Sequence, residues 1–282
     1  MINLFRRKGM VKKMKTRILT AAILTPLLVL LLLFADSPVL TVAVIVISAM
    51  GLYEFYKATG LWEKRSLCIM GILAAVIVPL LVWIPQSFYH LILYAYMLAL
   101  FLIMLIRHEN VSLSHGALIV FSIIYIPYFL TNLLYIRQLP SFGKLYLWLP
   151  FVGAFLTDTG AYFTGVFLGK HKLCPEISPK KTVEGSVGGI VVCVGACMLF
   201  GLLVEKFGLC KVEYIPLAVL GFIMSVVSQV GDLSASIIKR KYGIKDYGTI
   251  FPGHGGILDR LDSVIMIAPA VYIFIVNFGI FK

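Results

Sequence analysis

Long apolar stretches follow one another along nearly the whole chain, and they constrain its fold more than any other feature. Nine of them can be read from the sequence, at residues 18–35, 39–56, 66–84, 88–106, 115–136, 145–168, 185–204, 214–238 and 263–281. About 20 apolar residues in a helix cross the hydrocarbon core of a bilayer. A helix also satisfies all its backbone polar groups without water. The sequence therefore predicts an all-α, polytopic integral membrane protein with about nine transmembrane helices.

The charges are distributed unevenly between the two sides of the predicted membrane. The chain has 25 basic and 13 acidic residues, a net charge of +12. If the N-terminus is cytoplasmic, 20 basic residues fall in cytoplasmic segments and five fall outside. Positive residues concentrate on the cytoplasmic side of membrane proteins. This pattern predicts a cytoplasmic N-terminus and cytoplasmic loops at 169–184 and 239–258, and it argues against nucleic acid as a partner.

The chain is organised into three segments of different composition. Residues 1–17 form a basic arm, 18–144 form apolar helices, and 145–282 contain almost all the polar groups at membrane depth. Any chemistry is therefore expected in the last segment, on the cytoplasmic side. Glu54 is an exception in the second segment, and we expect it to snorkel to the interface or to pair with Lys57.

An acid lies inside the sixth predicted helix. Asp158 shares one helical face with Tyr162, Gly165 and Gly169, by spacings of four, seven and eleven. Close helix packing explains the glycines, whereas it explains the aspartate poorly. Ionisable groups at membrane depth usually belong to a functional site, so we expect Asp158 to have a function.

Two lysines precede the seventh predicted helix. Lys180 and Lys181 follow a Ser-Pro pair and come just before a glycine-rich helix start. Lysines beside a helix N-terminus suit a polyphosphate, through charge and free backbone N–H groups. An ordinary positive-inside loop has the same composition, and composition alone leaves both interpretations open.

Three further carboxylates lie in the last two predicted helices. Asp232 has Ser228 and Ser236 one turn away on the same face, and Lys239 continues that face toward the cytoplasm. This pattern indicates a polar path into the membrane, with a structural Asp232–Lys239 pair as the alternative.

The other two carboxylates begin the last helix. Asp259 and Asp262 are three residues apart and share a face. Carboxylates favour a helix N-terminus, but a cap requires only one of them. Together with Asp232 they could converge on Mg²⁺, which binds few carboxylates plus substrate phosphates. His254 lies in a glycine-rich loop and could be a phosphate donor, a general acid or a loop residue.

These residues carry a resemblance to a known family. The run from Ser236 to Asp262 resembles the signature of phosphatidate cytidylyltransferases, also called CDP-diacylglycerol synthases. The matching positions in the run are Ser236, Lys239-Arg240, Lys245-Asp246, Pro252, His254-Gly255-Gly256 and Asp259-Arg260-Leu261-Asp262. Further similarity covers Asp158-Thr159-Gly160-Ala161-Tyr162, Ser178-Pro179-Lys180-Lys181-Thr182, Glu184-Gly185 and Gly231-Asp232. The resemblance covers most of 150–262, and the earlier helices only by their number and the Glu54 region.

The resemblance implies a reaction in which CTP and phosphatidate give CDP-diacylglycerol and pyrophosphate. It also implies Mg²⁺ on Asp232 and Asp259, a second cation such as K⁺, and a homodimer in the inner (plasma) membrane, with membrane lipid around it. The implied catalytic residues are Asp158, Asp232, Lys239, Asp246, His254, Asp259, Arg260 and Asp262. The implied substrate-binding residues are Lys180, Lys181, Ser236, Arg240, Lys245, Gly255 and Gly256.

Two other functions compete with this interpretation. One is a CTP-dependent kinase of a lipid alcohol, which would need a base for the hydroxyl group. The other is an ion-coupled transporter, which typically has inverted repeats and broken helices in both halves. The polar residues of this chain concentrate in one half, which argues against a transporter.

Overall fold

Membrane-length helices dominate the structure. A computed structural model describes residues 22–251, 253 and 255–282. This part of the chain contains eight helices long and apolar enough to cross a membrane, at Ser37–Ala58, Arg65–Trp83, Gln86–Ile106, Leu113–Arg137, Gly143–Leu168, Val183–Lys206, Tyr214–Lys241 and Leu258–Phe278. The protein is thus an all-α polytopic membrane protein, as predicted. The first predicted span, 18–35, lies partly outside the described residues, which show a helix at Ala22–Phe34.

The helices are named here in chain order: α1 Ala22–Phe34, α2 Ser37–Ala58, α3 Arg65–Leu80, α4 Tyr89–Ile106, α5 Leu113–Ile123, α6 Phe129–Arg137, α7 Gly143–Tyr146, α8 Leu149–Leu168, α9 Val183–Lys206, α10 Tyr214–Lys241 and α11 Leu258–Phe278. A π-helical turn at Ile124–Tyr128, which contains Pro127, joins α5 to α6. A proline cannot continue the α-helical hydrogen-bond ladder, and a π-turn accommodates it within one span.

The last helix begins earlier than its apolar pattern predicts. It starts at Leu258, five residues before the predicted span 263–281, so that Asp259 and Asp262 lie inside its first turns. Both acids are buried. Charged residues can be buried when hydrogen-bonding or oppositely charged partners are available. A hydropathy pattern does not show such partners, so it misses the first residues of this helix.

A small β-hairpin replaces the predicted loop between α8 and α9. Its strands are β1 Lys172–Cys174 and β2 Ser178–Thr182, and they are antiparallel, with Lys172 opposite Thr182. The carboxylate of Glu184 accepts the backbone N–H groups of Lys170 and His171. The hairpin is therefore attached to the first turn of α9, and this position holds β2 near the helix ends.

Small residues let α8 and α9 approach closely. A Cβ added at Gly165 would lie 3.1 Å from Oγ1 of Thr182, and one at Gly189 would lie 3.0 Å from the carbonyl oxygen of Thr157. Thr182 also caps α9, because its Oγ1 accepts the N–H of Gly185 at 3.1 Å. The glycines of the Asp158 face thus serve helix packing, as one of the two interpretations expected.

Contacts between the loops show which loops lie at the same end of the helix bundle. At one end, Oη of Tyr146 accepts the N–H groups of Ile280 and Phe281, and Val212 pairs with Phe281. At the other end, the end of α2 meets the start of α11, and the hairpin meets the end of α10. Loops that the charge pattern assigns to the same side thus lie together. Which end faces the cytoplasm stays a prediction.

Most of α4 lies on the outside of the bundle. Leu100 is its one buried residue, and its other large apolar side chains include several that are more than half exposed. In a membrane such a face contacts lipid or another protein. The predicted homodimer stays a prediction.

Candidate active site

A cavity of about 480 Å³ opens where α8, α9 and α10 meet the hairpin. Its lining combines acidic, basic and amide side chains with an apolar wall formed by α8. The polar and charged members are Asp158, Tyr162, Lys172, Lys180, Lys181, Thr182, Ser186, Gln229 and Asp232. The structure therefore brings together Asp158, the lysine pair and Asp232, which lie far apart in the sequence.

Lys181 and Asp232 form an ion pair inside this cavity. Nζ of Lys181 lies 2.5 Å from Oδ2 of Asp232, and the two side chains are 26% and 33% exposed. The alternative of a structural Asp232–Lys239 pair is therefore wrong. It failed because helix spacing shows which residues share a face of α10, but not that β2 brings a lysine to Asp232.

The acids of three helices lie close together beside the cavity. The charges of Asp158 and Asp262 both interact with that of Asp232. Gly231 allows the approach of α10 to α11, since a Cβ there would lie 3.0 Å from the carbonyl oxygen of Asp262. Arg260 is exposed and close enough for its charge to act on Asp158. This acidic group, Asp158, Asp232 and Asp262, brings three carboxyl groups together in and beside the cavity.

Asp259 lies in a second cluster, the Asp259 cluster, formed with Lys239, Tyr247 and Gly256. Its Oδ1 accepts a hydrogen bond from Nζ of Lys239 at 2.8 Å. Its Oδ2 accepts the backbone N–H groups of Tyr247 at 2.8 Å and Gly256 at 2.9 Å. The carboxylate of Asp259 thus anchors Lys239 and the backbone of two loop residues that precede α11, and it accepts no N–H group of the helix itself.

Tyr247 is a member of this cluster that the sequence did not single out. Burial, together with the negative charges of Asp259 and Asp262, raises the pKa of its phenol. The phenol therefore stays protonated and donates to the carbonyl oxygen of Ala235 at 3.3 Å. Nζ of Lys239 lies 5.4 Å from the centre of its ring, a cation–π contact.

The remaining predicted residues of the run 236–262 occupy several different positions. Arg240 donates from Nε to the carbonyl oxygen of Ile177 and from Nη1 to that of Ile244, both at 3.3 Å. It thus links the hairpin to the segment after α10. Lys245 and Asp246 are exposed on that segment, and Ser236 is buried in α10. His254 and Pro252 lie outside the described residues.

The two predicted glycines allow close approach of a carboxylate. Gly255 has a φ of 88°, in the left-handed region that favours glycine. A Cβ there would lie 2.8 Å from Oδ2 of Asp259. The backbone of Gly256 donates to the same oxygen. These contacts show the glycines supporting Asp259.

Glu54 neither reaches out to solvent nor pairs with Lys57, so this expectation is wrong. Its side chain is buried, at 2% exposure. Its Oε1 accepts the N–H of Ile257 and its Oε2 the N–H of Leu258, both at 3.1 Å. The first N–H groups of a helix lack partners within it and attract a carboxylate. The one indication of this contact in the sequence was that an acidic residue lies within an apolar helix.

Gln229 is another polar residue that the sequence did not single out. Its Nε2 donates to the carbonyl oxygen of Ser186 at 3.2 Å, and the hydroxyl of Ser186 donates to its Oε1. This amide therefore joins α9 to α10 in the cavity wall, one turn before Asp232. The available indication in the sequence was that Gln229 lies three residues before Asp232.

The donor chemistry at these acids fits a hard divalent cation. Within the described residues, no group of three His, Cys, Asp or Glu side chains is arranged to hold a metal ion. Mg²⁺ needs no such group, since it binds through one or two carboxylates plus substrate phosphates. Lysine ammonium groups lie on Asp232 and Asp259, at 2.5 and 2.8 Å. Both carboxylates therefore already hold a positive charge where a cation would bind.

Comparison with known proteins identifies the family of this arrangement. The model of the cytidylyltransferase family matches residues 15–278. A phosphatidate cytidylyltransferase of Bacillus subtilis is 33% identical over 279 residues, which cover 94% of this chain and 99% of that protein. One of Staphylococcus epidermidis is 32% identical over 271 residues, covering 94% and 100%. One of Staphylococcus saprophyticus is 40% identical over 157 residues, covering 56% and 59%. The chain belongs to the cytidylyltransferase family.

Proposed function

We propose that this protein transfers the cytidylyl group of CTP to phosphatidate and releases pyrophosphate, at the cavity and the Asp259 cluster. The relatives that match nearly its whole length carry the name of this activity. The structural observation that supports the proposal most is the grouping of Asp158, Lys181 and Asp232 in one cavity. Cations there suit phosphates, and carboxylates suit a metal that neutralises them.

The proposed reaction is one displacement at phosphorus. An oxygen of the phosphatidate phosphate attacks the α-phosphorus of CTP, a new P–O bond forms, and the bond from the α-phosphorus to the bridging oxygen breaks. Phosphatidate is already ionised near neutral pH, so a general base is not obligatory. The difficulty is that two anions must meet. Positioning and charge neutralisation are therefore the main tasks of the protein.

Each group of side chains has a part in this proposal. Lys180 and Lys181 line the cavity and would bind the triphosphate, with Arg260 at the exposed start of α11. Asp232 and Asp259 would hold Mg²⁺, with Asp262 as a further carboxyl group on α11. When bound, Mg²⁺ supplies positive charge that aligns and neutralises phosphate oxygens. The second cation, such as K⁺, and roles for Asp246 and His254 stay predictions.

Two lysines would change partners when the substrates bind. Lys181 and Lys239 lie on the carboxylates that are proposed to bind the metal. A cation that binds these carboxylates would compete with both ammonium groups, and the triphosphate offers them new acceptors. In this proposal, the two lysines neutralise the carboxylates when substrate is absent and bind phosphate oxygens when CTP is present.

The experiment uses the purified protein in lipid nanodiscs with CTP, phosphatidate and Mg²⁺. The wild-type protein is expected to release pyrophosphate and form CDP-diacylglycerol, and EDTA is expected to abolish both. The variant Asp232→Asn should lose at least about 100-fold in kcat, because electrostatic stabilisation of this kind has that magnitude. Glu63→Gln, an exposed acid of the other half, is the matched control and should stay active.

Two results would count against parts of the proposal. Near-normal turnover by Asp232→Asn would remove this acid from the catalytic site. Phosphate transfer to a lipid alcohol, without product from phosphatidate, would favour the kinase. The cytoplasmic orientation of the site and the plasma-membrane location belong to the same proposal and need a separate measurement.

A further inference from the structure

The N-terminal half of the chain contributes one carboxylate to the region of the proposed site. Glu54 comes from α2, and its two oxygens accept the N–H groups of Ile257 and Leu258, 203 and 204 residues later in the chain. At 2% exposure, its side chain is among the most completely buried charged groups of the described residues. A carboxylate so placed in an apolar helix requires these partners, since an unpaired buried charge is very unfavourable.

The start of α11 has no local cap that could replace Glu54. The residue before the helix is Ile257, and its side chain makes no capping hydrogen bond. The N–H of Gly256 goes to Asp259, while those of Ile257 and Leu258 go to Glu54. Two carboxylates thus divide three consecutive N–H groups. Without Glu54, two of these groups would lose their acceptor, and Asp259 would be the nearest carboxylate to compete for them.

Two glycines provide the space for this carboxylate. A Cβ added at Gly248 or at Gly256 would collide with the carboxylate of Glu54. Neither glycine has a positive φ, so the backbone at both positions would accept another residue. It is therefore the volume of Glu54, and not the backbone conformation, that excludes a side chain there.

We propose that Glu54 is a positioning residue for cytidylyl transfer. It holds the start of α11 and the adjacent glycine segment, so that Asp259 and Asp262 keep their positions relative to α10. This inference rests on the proposed function, which assigns the reaction to these acids. It gives the apolar half of the chain a defined part in the chemistry, through one side chain that touches no substrate.

The first test replaces Glu54 by glutamine, which keeps the shape but exchanges one acceptor oxygen for a donor. In nanodiscs, Glu54→Gln is expected to lower kcat by about 10-fold or more, since small misplacements of reacting groups have effects of this size. KM for CTP should change little, because the lysines of the cavity are untouched. Hydrogen exchange should accelerate at residues 256–260 and nowhere else. Glu63→Gln is the control for both readouts.

The possible outcomes separate this inference from the proposed function. If exchange at 256–260 accelerates but kcat of the folded variant is unchanged, Glu54 is only structural and the inference is wrong. If Asp232→Asn and Asp259→Asn both turn over normally, the site assignment fails instead, whatever Glu54→Gln does. Loss of kcat in Glu54→Gln, together with inactive aspartate variants, supports both.

A second variant covers the case in which Glu54→Gln does not fold. Gly248→Ala adds one methyl group against the carboxylate and leaves every hydrogen-bonding group in place. In the otherwise wild-type protein it should lower kcat and accelerate hydrogen exchange at residues 256–260, because the added methyl group displaces the carboxylate of Glu54. Gly195→Ala is the control, as a Cβ there meets nothing within 4 Å. Accelerated exchange at 256–260 with an unchanged kcat in Gly248→Ala would overturn the inference.

Discussion

Two lysines pair with two aspartates near the proposed site, and their burial gives them different energetic roles. Lys239 and Asp259 are 11% and 3% exposed, whereas Lys181 and Asp232 are 26% and 33% exposed. Removal of one partner from a buried pair typically costs about 3–5 kcal/mol, because the other charge stays buried and unpaired. Exposed pairs contribute about 0–1 kcal/mol. We therefore expect loss of the inner pair to lower stability more than loss of the outer pair.

This difference can be measured with matched variants. Lys239→Met should lower the free energy of unfolding by about 3–5 kcal/mol, and Lys181→Met by about 1 kcal/mol or less. Lys181→Met should instead raise KM for CTP, since it removes a positive charge from the cavity. Denaturant titration in detergent, followed by tryptophan fluorescence, gives the first quantity, and steady-state kinetics gives the second. Equal losses of stability would refute the distinction.

At the scale of elements, the hairpin is the part of the fold that brings the lysines to the acids. Glu184 fixes its base to α9, and Arg240 fixes its turn through the carbonyl oxygen of Ile177. Neither β1 nor β2 has the alternation of apolar and polar residues that predicts a strand. The sequence therefore indicates a charged loop at 169–184, and the pairing arises from contacts with α9 and α10 that no local pattern reveals.

We predict that Arg240→Ala loosens this hairpin without unfolding the helices. Amide exchange should accelerate in 172–182, and KM for CTP should rise several-fold because Lys180 and Lys181 lose their fixed position. Lys241→Ala, a change of an exposed neighbouring cation, is the control. Hydrogen-exchange mass spectrometry and kinetics on both variants provide the check. An unchanged exchange rate in the hairpin would show that Arg240 does not hold it.

At the scale of the whole molecule, the positions of the helices are predictable because each helix is a long apolar segment that can be recognised from its own residues. Eight of the nine predicted spans coincide with helices to within a few residues. The family resemblance implied that Asp158, Lys181 and Asp232 belong to one site, and the cavity brings them together. The partner of Glu54 was not predictable, since 203 residues separate it from Ile257. Pairing at that distance depends on helix packing, which a single sequence does not encode in any local pattern.

The sidedness of the molecule is a prediction that two natural cysteines can test. Cys174 lies in the hairpin, Cys210 lies at the opposite end of the bundle, and Cys68, Cys193 and Cys197 are buried. A membrane-impermeant maleimide should modify Cys210 in intact cells and Cys174 only after permeabilisation. Burial raises the pKa of the Cys210 thiol. Because the thiolate reacts, labelling needs mildly alkaline pH.

Single serine variants at Cys174 and Cys210 identify each labelled site. The reverse pattern, with Cys174 labelled in intact cells and Cys210 protected, would place the proposed active site on the outer side. It would also contradict the distribution of basic residues as a guide to orientation in this protein.

Cytidylyl transfer moves the α-phosphorus of CTP to phosphatidate, and a radioactive label on CTP reports which phosphorus atom reaches the lipid. Purified protein in nanodiscs that contain phosphatidate is given Mg²⁺ and CTP labelled at either the α- or the γ-phosphate. Cytidylyl transfer predicts that only the α-label enters the lipid, while the γ-label leaves in pyrophosphate. Entry of the γ-label into lipid, with the α-label remaining in a nucleotide, would contradict cytidylyl transfer and identify a lipid kinase.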